Sequence, residues 1–396
     1  MHLLAATPGA VGDDAAATDL GQAPGDIVVL SAADSEIAAL SAARARLPGG
    51  FPSLRLANIL KLRHNLSVDL YLDRTAGEAK LIVVRLLGGR GYWPYGVEQL
   101  AALARDTGVK LALLPGDDQP DPELLSASTL PAEACHRLWQ YLVHGGLDNA
   151  TGFLGYAASL IGAKWEWSEP RPLLRAGLYW PGLAAPSLDQ VRAAWAKDRP
   201  IATIVFYRAL VQAANTETVD ALIGALRDEG LDALPVFAAG LKDPVAAATV
   251  AALLAEAKPA IALNLTGFAL GKPGDTARAA PFDAVDCPVL QLVAAQGDAQ
   301  GWRAGTFGLK PTDIAMNVAL PEVDGRVLAG VVAFKEPDRR DDAAQIDIVR
   351  HVPEPERVRH AARLAAAWVR LRTAPPNRRR VALVLANYPN RDGRIG

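Results

Sequence analysis

Short apolar segments of strand type alternate with helical patterns along most of this chain, and the clearest series runs from residue 201 to residue 294. Apolar runs at 201–206, 233–238, 261–265 and 289–294 are separated by segments with helical periodicity. Continuous apolar runs are typical of strands buried on both faces, and this alternation predicts a parallel sheet with helices on both sides. We therefore predict a doubly wound α/β fold of the flavodoxin or Rossmann type, with ligands outside the carboxyl ends of the strands.

The preceding part of the chain shows the same alternation. It contains predicted strands at 26–30, 81–87 and 109–114 and predicted helices at 54–62, 97–106 and 131–161. The last helical stretch is broken near Gly145 and Gly146, and Pro170 and Pro172 indicate a linker. Two separate α/β domains are therefore expected, one on each side of this linker.

Three domains are predicted in total. They are an N-terminal α/β domain with a helical extension at 1–167, a flavodoxin-like domain at 174–300 and the start of a further domain at 301–396. The third contains an apolar run at 381–386, which predicts a buried strand close to the last residue. Because a strand of a parallel sheet has a neighbour on each side, we expect the third domain to be incomplete, as in a truncated polypeptide.

Composition and motifs exclude several classes of function. The formal net charge is −2, which gives no electrostatic basis for binding nucleic acid. The most apolar window, 245–257, contains polar residues and predicts a buried helix rather than a membrane span. There is no phosphate-binding loop sequence, so ATP is not expected to bind to this chain itself. The two cysteines, Cys135 and Cys287, suit a reducing compartment, and we expect a soluble cytoplasmic protein.

Eight stretches of the sequence carry a family resemblance, at 67–71, 85–89, 91–96, 205–209, 266–270, 282–289, 316–325 and 385–396. In this order they resemble the family of metal-chelatase large subunits that includes CobN of cobaltochelatase and the large subunit of magnesium chelatase. Without them the sequence would indicate only a cytoplasmic α/β protein with a ligand at the strand ends. The resemblance covers nearly the whole chain and implies its N-terminal position in a longer large subunit.

The resemblance implies an ATP-dependent cobaltochelatase, a ligase that forms metal–nitrogen bonds in aerobic cobalamin biosynthesis. The large subunit of this family binds hydrogenobyrinic acid a,c-diamide and Co²⁺ as substrates. ATP with Mg²⁺ is hydrolysed by partner subunits, an AAA+ ATPase (CobS-like) and its adaptor (CobT-like). The present chain would then be inactive alone and would contribute to binding the corrin tetrapyrrole.

Two carboxylates are candidates for catalysis of cobalt insertion. The reaction must remove the inner N–H protons of the macrocycle and strip water from Co²⁺, and a carboxylate can accept a proton and ligate the cation transiently. Glu322 follows an apolar run and precedes a turn signal, so we predict that it is the catalytic base and a cobalt ligand. Asp324 is the second candidate. The alternative is a solvated turn with ordinary acidic residues, and for Asp324 a turn-forming role is favoured.

Cationic residues are expected to bind the carboxylates of the substrate. Tyr207 and Arg208 follow the apolar run at 201–206, at the end of a strand where ligands collect in such sheets. Arg85 lies within a strand-type run and is a further candidate, although a structural ion pair is the favoured alternative. For Arg208 the alternative is a local capping or pairing role.

Aromatic and polar residues complete the predicted substrate site. Trp93 and Tyr95 flank a proline between two glycines and could stack on a flat macrocycle, the alternative being that they anchor a loop to the core. Thr266 closes the strand at 261–265, where a satisfied polar turn is the alternative. Lys242, just before a predicted helix, is a weaker candidate.

Three competing hypotheses differ from the cobalt-inserting large subunit. A magnesium chelatase large subunit would bind protoporphyrin IX instead of a corrin. A non-catalytic small-molecule-binding module would bind its ligand through 174–295 alone and would have no ATPase partner. A truncated gene product without activity would show an exposed apolar edge near 381–386.

Overall fold

The computed structural model of the chain describes residues 17–271, 281–306 and 308–384. It contains two sheets, each covered by helices on both faces, which confirms the predicted multi-domain α/β class. We refer to residues 17–160 as the first lobe and to residues 176–373 as the second lobe. The segment that connects them has no helix or strand.

The first lobe is built on a four-stranded parallel sheet. Its strands are β1 (Ile27–Ser31), β2 (Leu54–Asn58), β3 (Leu81–Leu86) and β4 (Lys110–Pro115). Its helices are α1 (Asp34–Arg46), α2 (Asn65–Tyr71), α3 (Pro94–Thr107), α4 (Pro122–Ser126), α5 (Ala132–His144) and α6 (Leu147–Leu160). The strand order is β2-β1-β3-β4, the order of a doubly wound sheet whose switch point lies between β1 and β3.

Side chains of each strand alternate between two apolar cores. Ile27 and Val29 of β1 face α1, α5 and α6, whereas Val28 and Leu30 face α2 and α3. All four are at most 2% exposed, because helices cover both faces of the sheet. This two-sided burial explains why β1 has no polar residue before Ser31.

The predicted helix at 54–62 is wrong. Leu54–Asn58 forms β2, which pairs in parallel with β1, and a short 3-10 turn follows at Ile59–Lys61. Helical spacing of the leucines is overridden by burial, since Leu54 and Leu56 point to one core and Ala57 to the other. Arg55 is nevertheless buried, because its guanidinium donates to four backbone carbonyls.

The second lobe contains a seven-stranded sheet. Its strands are β5 (Ala176–Leu178), β6 (Ile201–Tyr207), β7 (Asp232–Ala238), β8 (Ile261–Asn264), β9 (Val289–Ala294), β10 (Val327–Asp341) and β11 (Ile346–Pro353). Its helices are α7 (Leu188–Arg192), α8 (Arg208–Gln212), α9 (Glu217–Asp228), α10 (Pro244–Ala257), α11 (Ala299–Ala304), α12 (Pro311–Ile314), α13 (Leu320–Glu322) and α14 (Pro355–Thr373).

The strand order of the second sheet is β11-β10-β9-β8-β6-β7-β5. Strands β6 to β10 are mutually parallel in the order β7-β6-β8-β9-β10, so the flavodoxin-like pattern predicted from 201–294 is confirmed, with the switch point between β6 and β8. β5 and β11 are antiparallel edge strands. The domain boundary predicted at residue 300 falls inside this sheet, since β9 pairs directly with β10.

Strand β10 is long because it pairs with β9 in the sheet and then with β11 in a separate two-stranded arm. Its first half pairs with β9, and its second half leaves the sheet with β11 as a two-stranded arm. The tip of this arm packs on the first lobe, where Ala344, Ile346 and Ile348 are buried in the same core as α1 and β2. The Leu56 N–H donates to the Ala344 carbonyl at 3.3 Å, so the tip also covers the edge of β2.

Polar contacts reinforce the docking of the arm. Lys335 Nζ lies 2.5 Å from the Asp34 carboxylate at the start of α1. Ser41 Oγ donates to the Asp341 carboxylate at 2.5 Å. The Gln22 amide donates to the carbonyls of Leu56 and Gln345. The arm therefore connects the lobes through apolar and polar contacts that local sequence patterns do not show.

The apolar run at 381–386 is predicted to be a strand. Residues 381–384 form no helix or strand and their apolar side chains are exposed, whereas 385 and 386 lie outside the described residues. Within 17–271, 281–306 and 308–384, no helix combines the length and the apolarity required to cross a bilayer.

We predict that Ile348→Ala lowers the free energy of unfolding by about 2–5 kcal/mol, because it leaves a cavity in the core of the first lobe. Val352→Ala, on the same strand but 37% exposed, should cost about 0.5 kcal/mol or less. Urea titration followed by circular dichroism measures both. Equal effects of the two variants would show that the arm does not stabilise the first lobe.

Candidate active-site cleft and switch-point network

A cleft of about 750 Å³ lies between the two lobes, at the carboxyl ends of both sheets. Its walls come from the segments that follow β3, β4, β6 and β7, together with α1 and the end of α5. Both sheets are doubly wound, and this is the edge at which such sheets bind ligands. We refer to this cavity as the inter-lobe cleft.

Arg85 lies on the wall of the cleft and is almost completely buried. Its guanidinium pairs with the Glu36 carboxylate of α1 and donates to the carbonyls of Leu142 and Gly116, both at 3.0 Å. Ser31 Oγ donates to the second oxygen of Glu36 at 2.7 Å. The charge of Arg85 is therefore compensated within the protein, which is the arrangement of a structural ion pair.

Arg175, in the segment between the lobes, joins loops from both sides of the cleft. Its guanidinium contacts Asp118 of the first lobe at 2.6 Å and Asp243 of the second lobe at 2.5 Å. Asp243 also caps α10 by accepting a hydrogen bond from the Ala246 N–H at 2.8 Å. Because Asp118 and Asp243 are bound in this way, they are not free to repel an anion entering the cleft.

Arg208 enters the cleft from the carboxyl end of β6. Its guanidinium donates to the Leu173 carbonyl at 3.0 Å. It also donates to the carbonyls of Val143 and His144 at the end of α5, both at 3.5 Å. Burial and the nearby Arg175 cation lower its pKa to about 10. At neutral pH the guanidinium is protonated, yet it forms no ion pair with any carboxylate of the described part of the chain.

His144 lies beside Arg208 at the end of α5, where α5 and α6 are separated by Gly145 and Gly146. Burial and the Arg208 charge lower the pKa of His144, so its imidazole is neutral at pH 7. Gly145 has φ +63° and approaches Gln212 so closely that a Cβ would lie 2.7 Å from the Gln212 Cβ. Glycine at this position therefore allows the α5–α6 turn to contact α8.

A second polar cluster occupies the switch point between β6 and β8. Thr266 Oγ1 donates to the Asn264 side chain at 2.9 Å, and the Asn264 amide donates to Gln291 Oε1 at 2.8 Å. Tyr207 Oη accepts a hydrogen bond from the Gly267 N–H at 3.1 Å, and burial raises the pKa of its phenol. We refer to these residues, with Asp324 and Arg326, as the switch-point network.

Asp324 is held firmly by its neighbours. Its carboxylate accepts hydrogen bonds from the N–H groups of Leu270 at 2.8 Å and Gly271 at 3.1 Å, and it pairs with Arg326 at 2.8 Å. Arg326 also donates to the Thr266 carbonyl at 3.2 Å. Asp324 therefore fixes the loop after β8 onto the segment before β10.

Glu322 is exposed at the end of α13, two residues before Asp324. Among the described residues, nothing donates a hydrogen bond to its carboxylate and no cation pairs with it. Asp324 and Arg326 line a separate cavity of about 520 Å³ that Glu322 itself does not line. Glu322 is thus available for chemistry that the bonded Asp324 carboxylate cannot perform.

Trp93 and Tyr95 lie at the start of α3 and do not line the inter-lobe cleft. Trp93 is buried and its indole N–H donates to the Leu62 carbonyl at 2.9 Å. Tyr95 donates to the Asp69 carboxylate at 2.8 Å. These contacts anchor the start of α3 to α2 and to the turn before it, and a role in stacking on a macrocycle stays a prediction.

Apart from Glu322, which does not line the inter-lobe cleft, the predicted site residues fall into three groups. Arg85, Arg208 and the weaker candidate Lys242 line the inter-lobe cleft, Tyr207 and Thr266 share the switch-point network with Asp324, and Trp93 and Tyr95 form a third group. Two of the stretches quoted for the family resemblance meet in space, since the Phe268 N–H donates to the Met316 carbonyl at 2.7 Å.

Comparison with known proteins supplies the family. The model of the CobN/Magnesium Chelatase family matches residues 139–396 of this chain. The chain belongs to this family. It is 47% identical to the aerobic cobaltochelatase subunit CobN of Sinorhizobium sp and 43% identical to that of Pseudomonas aeruginosa, with 100% of the chain covered in both alignments. It spans 32% of the length of each of these relatives.

More distant relatives and a solved structure agree with the family assignment. A magnesium-chelatase subunit of Rhodobacter capsulatus is 25% identical over 83% of this chain and 28% of its own length. The catalytic subunit of cobaltochelatase from Mycobacterium tuberculosis has a similar fold, with a TM-score of 0.63 and 29% identity. This match covers 91% of the present chain and 29% of the solved one.

Metal ligation in this CobN/magnesium chelatase family member was predicted at Glu322. The described ranges contain no group of three or more His, Cys, Asp or Glu side chains arranged to hold a metal ion. Glu322 is thus a single available carboxylate rather than part of a preformed metal cage.

Sequence reasoning missed the contribution of His144, Arg175 and Gln212 to the cleft. None of the three belongs to a recognisable motif, and Arg175 lies two residues after the linker predicted at 168–173. The pair Gly145–Gly146 was the available signal, because two glycines between helices allow the close approach of another backbone or side chain. The glycine pair could not indicate that the element in contact with it would be α8, more than 60 residues further along the chain.

We predict that Glu36→Gln lowers the free energy of unfolding by about 3–5 kcal/mol, because it leaves the buried Arg85 guanidinium without its counter-charge. The double variant Glu36→Gln/Arg85→Met should recover part of that loss. Thermal and urea unfolding of the two variants test this. A loss of only about 1 kcal/mol in the single variant, typical of a surface ion pair, would contradict the buried-pair assignment.

Proposed function

We propose that this chain forms part of the tetrapyrrole-binding large subunit of an ATP-dependent cobaltochelatase. Its substrates would be hydrogenobyrinic acid a,c-diamide and Co²⁺, and the pathway would be aerobic cobalamin biosynthesis in the cytoplasm. The observation that carries this proposal is the 47% identity, over the whole chain, to an aerobic cobaltochelatase CobN subunit. Magnesium-chelatase subunits of Rhodobacter capsulatus and Cereibacter sphaeroides reach only 25% and 29% identity, over shorter parts of the chain, which favours the corrin over protoporphyrin IX.

Partner subunits complete the proposed reaction. We propose that ATP with Mg²⁺ is hydrolysed by an AAA+ ATPase (CobS-like) with an adaptor (CobT-like), since this chain has no phosphate-binding loop sequence. The chain itself would bind the ring, and it would not insert metal unless the complete subunit and these partners were present. The inter-lobe cleft supports a binding role because its volume lies in the range of small-molecule sites.

The chemistry of insertion requires that the inner N–H protons leave as Co²⁺ loses water. Glu322 is suited to accept a proton or to ligate the incoming cation because its carboxylate has no other bond among the described residues. Asp324, bonded to two N–H groups and to Arg326, is suited to position the segment that carries Glu322. We therefore assign the chemical role to Glu322 and the positioning role to Asp324.

We predict that the chain binds hydrogenobyrinic acid a,c-diamide more tightly than protoporphyrin IX. Titration of the protein into each macrocycle, followed by its absorption spectrum, measures the two dissociation constants. Tighter binding of the porphyrin would favour the magnesium-chelatase alternative. Binding of neither macrocycle would contradict a ring-binding role for this part of the subunit.

We predict that Glu322→Gln in the complete subunit, assembled with its ATPase partners, slows cobalt insertion by about 10²–10⁴-fold, the usual contribution of a general base. The matched control is Glu356→Gln, which changes an exposed glutamate on a different helix, α14, and should leave the rate unchanged. An unchanged insertion rate in Glu322→Gln, with normal ring binding, would show that Glu322 has no chemical role.

A further inference from the structure

Arg208 differs from Arg85 and Arg326, two other arginines that line cavities of this protein. Arg85 in the same cleft pairs with Glu36, and Arg326 in the switch-point network pairs with Asp324. Arg208 has no carboxylate partner in the described part of the chain, although most of its surface is removed from solvent. A buried full charge without a counter-charge is costly, so an arrangement that retains one requires an explanation.

Capping of α5 accounts for only part of the interactions of Arg208. The carboxyl end of a helix carries about half a negative charge, and Arg208 donates to the carbonyls of Val143 and His144 there. Both distances are 3.5 Å, at the long limit for a hydrogen bond. The Arg208 Nε–H makes no hydrogen bond within the described residues. The guanidinium therefore keeps an unused donor, and its charge is offset only in part, by Asp118, which is itself bound to Arg175.

The surroundings of Arg208 favour an incoming anion. His144 Nδ1 is buried and also makes no hydrogen bond within the described ranges, so the neutral tautomer that carries its proton on Nδ1 can donate a second hydrogen bond beside the guanidinium. Of the four carboxylates that line the cleft, Glu36, Asp118 and Asp243 are each bound to Arg85 or Arg175. The fourth, Asp117, is exposed and accepts a hydrogen bond from the Gln119 N–H. Three of the four carboxylates that an anion approaching Arg208 would meet are thus already neutralised.

We propose that Arg208, with His144 beside it, binds a carboxylate group of an organic acid in the inter-lobe cleft, and that the acid is the ring substrate. The identification of the acid as the ring rests on the proposed function, whereas the carboxylate site does not. A planar carboxylate matches the guanidinium, which can offer it two parallel N–H donors. Because Arg208 belongs to the second lobe and His144 to the first, one bound carboxylate would contact both lobes.

The proposal is tested on the chain as it stands with two ligands, succinate and the ring, and with succinamide as a neutral control. Succinate is a small dicarboxylate, and succinamide is its neutral counterpart. Hydrogenobyrinic acid a,c-diamide is the ring. Binding of the small probes is followed by NMR through the imidazole signals of His144, and binding of the ring is followed by absorption.

The expected result is that the wild type binds succinate but not succinamide, with movement of the His144 signals. Arg208→Gln should weaken succinate and ring binding by about tenfold or more, as expected for loss of a charge-assisted bidentate contact. Arg208→Lys, which keeps the charge but not the planar donor pair, should lose about three- to tenfold. Arg359→Gln removes the same charge from an exposed position on α14 and should change neither.

The other outcomes distinguish failure of the carboxylate site at Arg208 from failure of the proposed ring-binding function. If Arg208→Gln binds both probes like the wild type, Arg208 is only a cap of α5 and the proposal is wrong. If succinate binding depends on Arg208 but the ring does not bind, the carboxylate site stands and the ring-binding function fails. If the ring binds equally well in the wild type and in Arg208→Gln while succinate binding is lost, the ring-binding function stands and the ring is not the acid that Arg208 binds. Should Arg208→Gln not fold, the lysine variant and the wild-type His144 signals decide.

Discussion

Docking of the β10–β11 arm onto the first lobe determines the geometry on which the cleft depends. The segment between the lobes contains no helix or strand, so it does not by itself orient one sheet against the other. The arm does, because Ala344, Ile346 and Ile348 are buried in the first core while β10 pairs with β9 in the second sheet. Burial of these side chains on folding couples the two lobes energetically, at roughly 25 cal/mol per Å² of apolar area removed from water.

Much of the fold could be predicted because it follows from local patterns. β9 matches its predicted bounds, and the start of α10 follows from Asp243 and Pro244, a cap and a proline at the first helical position. The segment that forms β2 is predicted as a helix because the spacing of its leucines fits both the helical and the strand repeat. Pairing with β1 decides in favour of the strand. The arm could not be predicted, since its contacts join residues 300 positions apart, such as Ser41 and Asp341.

The site was predictable to the extent that it follows from strand ends. Arg208 was identified because it follows an apolar strand, and it does reach the inter-lobe cleft. Tyr207, its neighbour in sequence, bonds to Gly267 on the β8 side instead, because successive residues at the end of a strand diverge. The partners of Arg85 and Asp324 required the tertiary structure, since Glu36 and Leu270 are about 50 positions away from them.

The separation of Arg208 from Glu322 has an electrostatic rationale within the proposed function. Binding the carboxylates of a ring requires uncompensated positive charge, whereas drawing in Co²⁺ requires uncompensated negative charge. Placed in one cavity, an arginine and a glutamate would pair with each other, as Arg85 and Glu36 do. Here Arg208 belongs to the cleft and Glu322 to the segment before β10, with the switch-point network between β6 and that segment. Arg208 can therefore keep the positive charge that binds the ring carboxylates, and Glu322 can keep the negative charge that attracts Co²⁺.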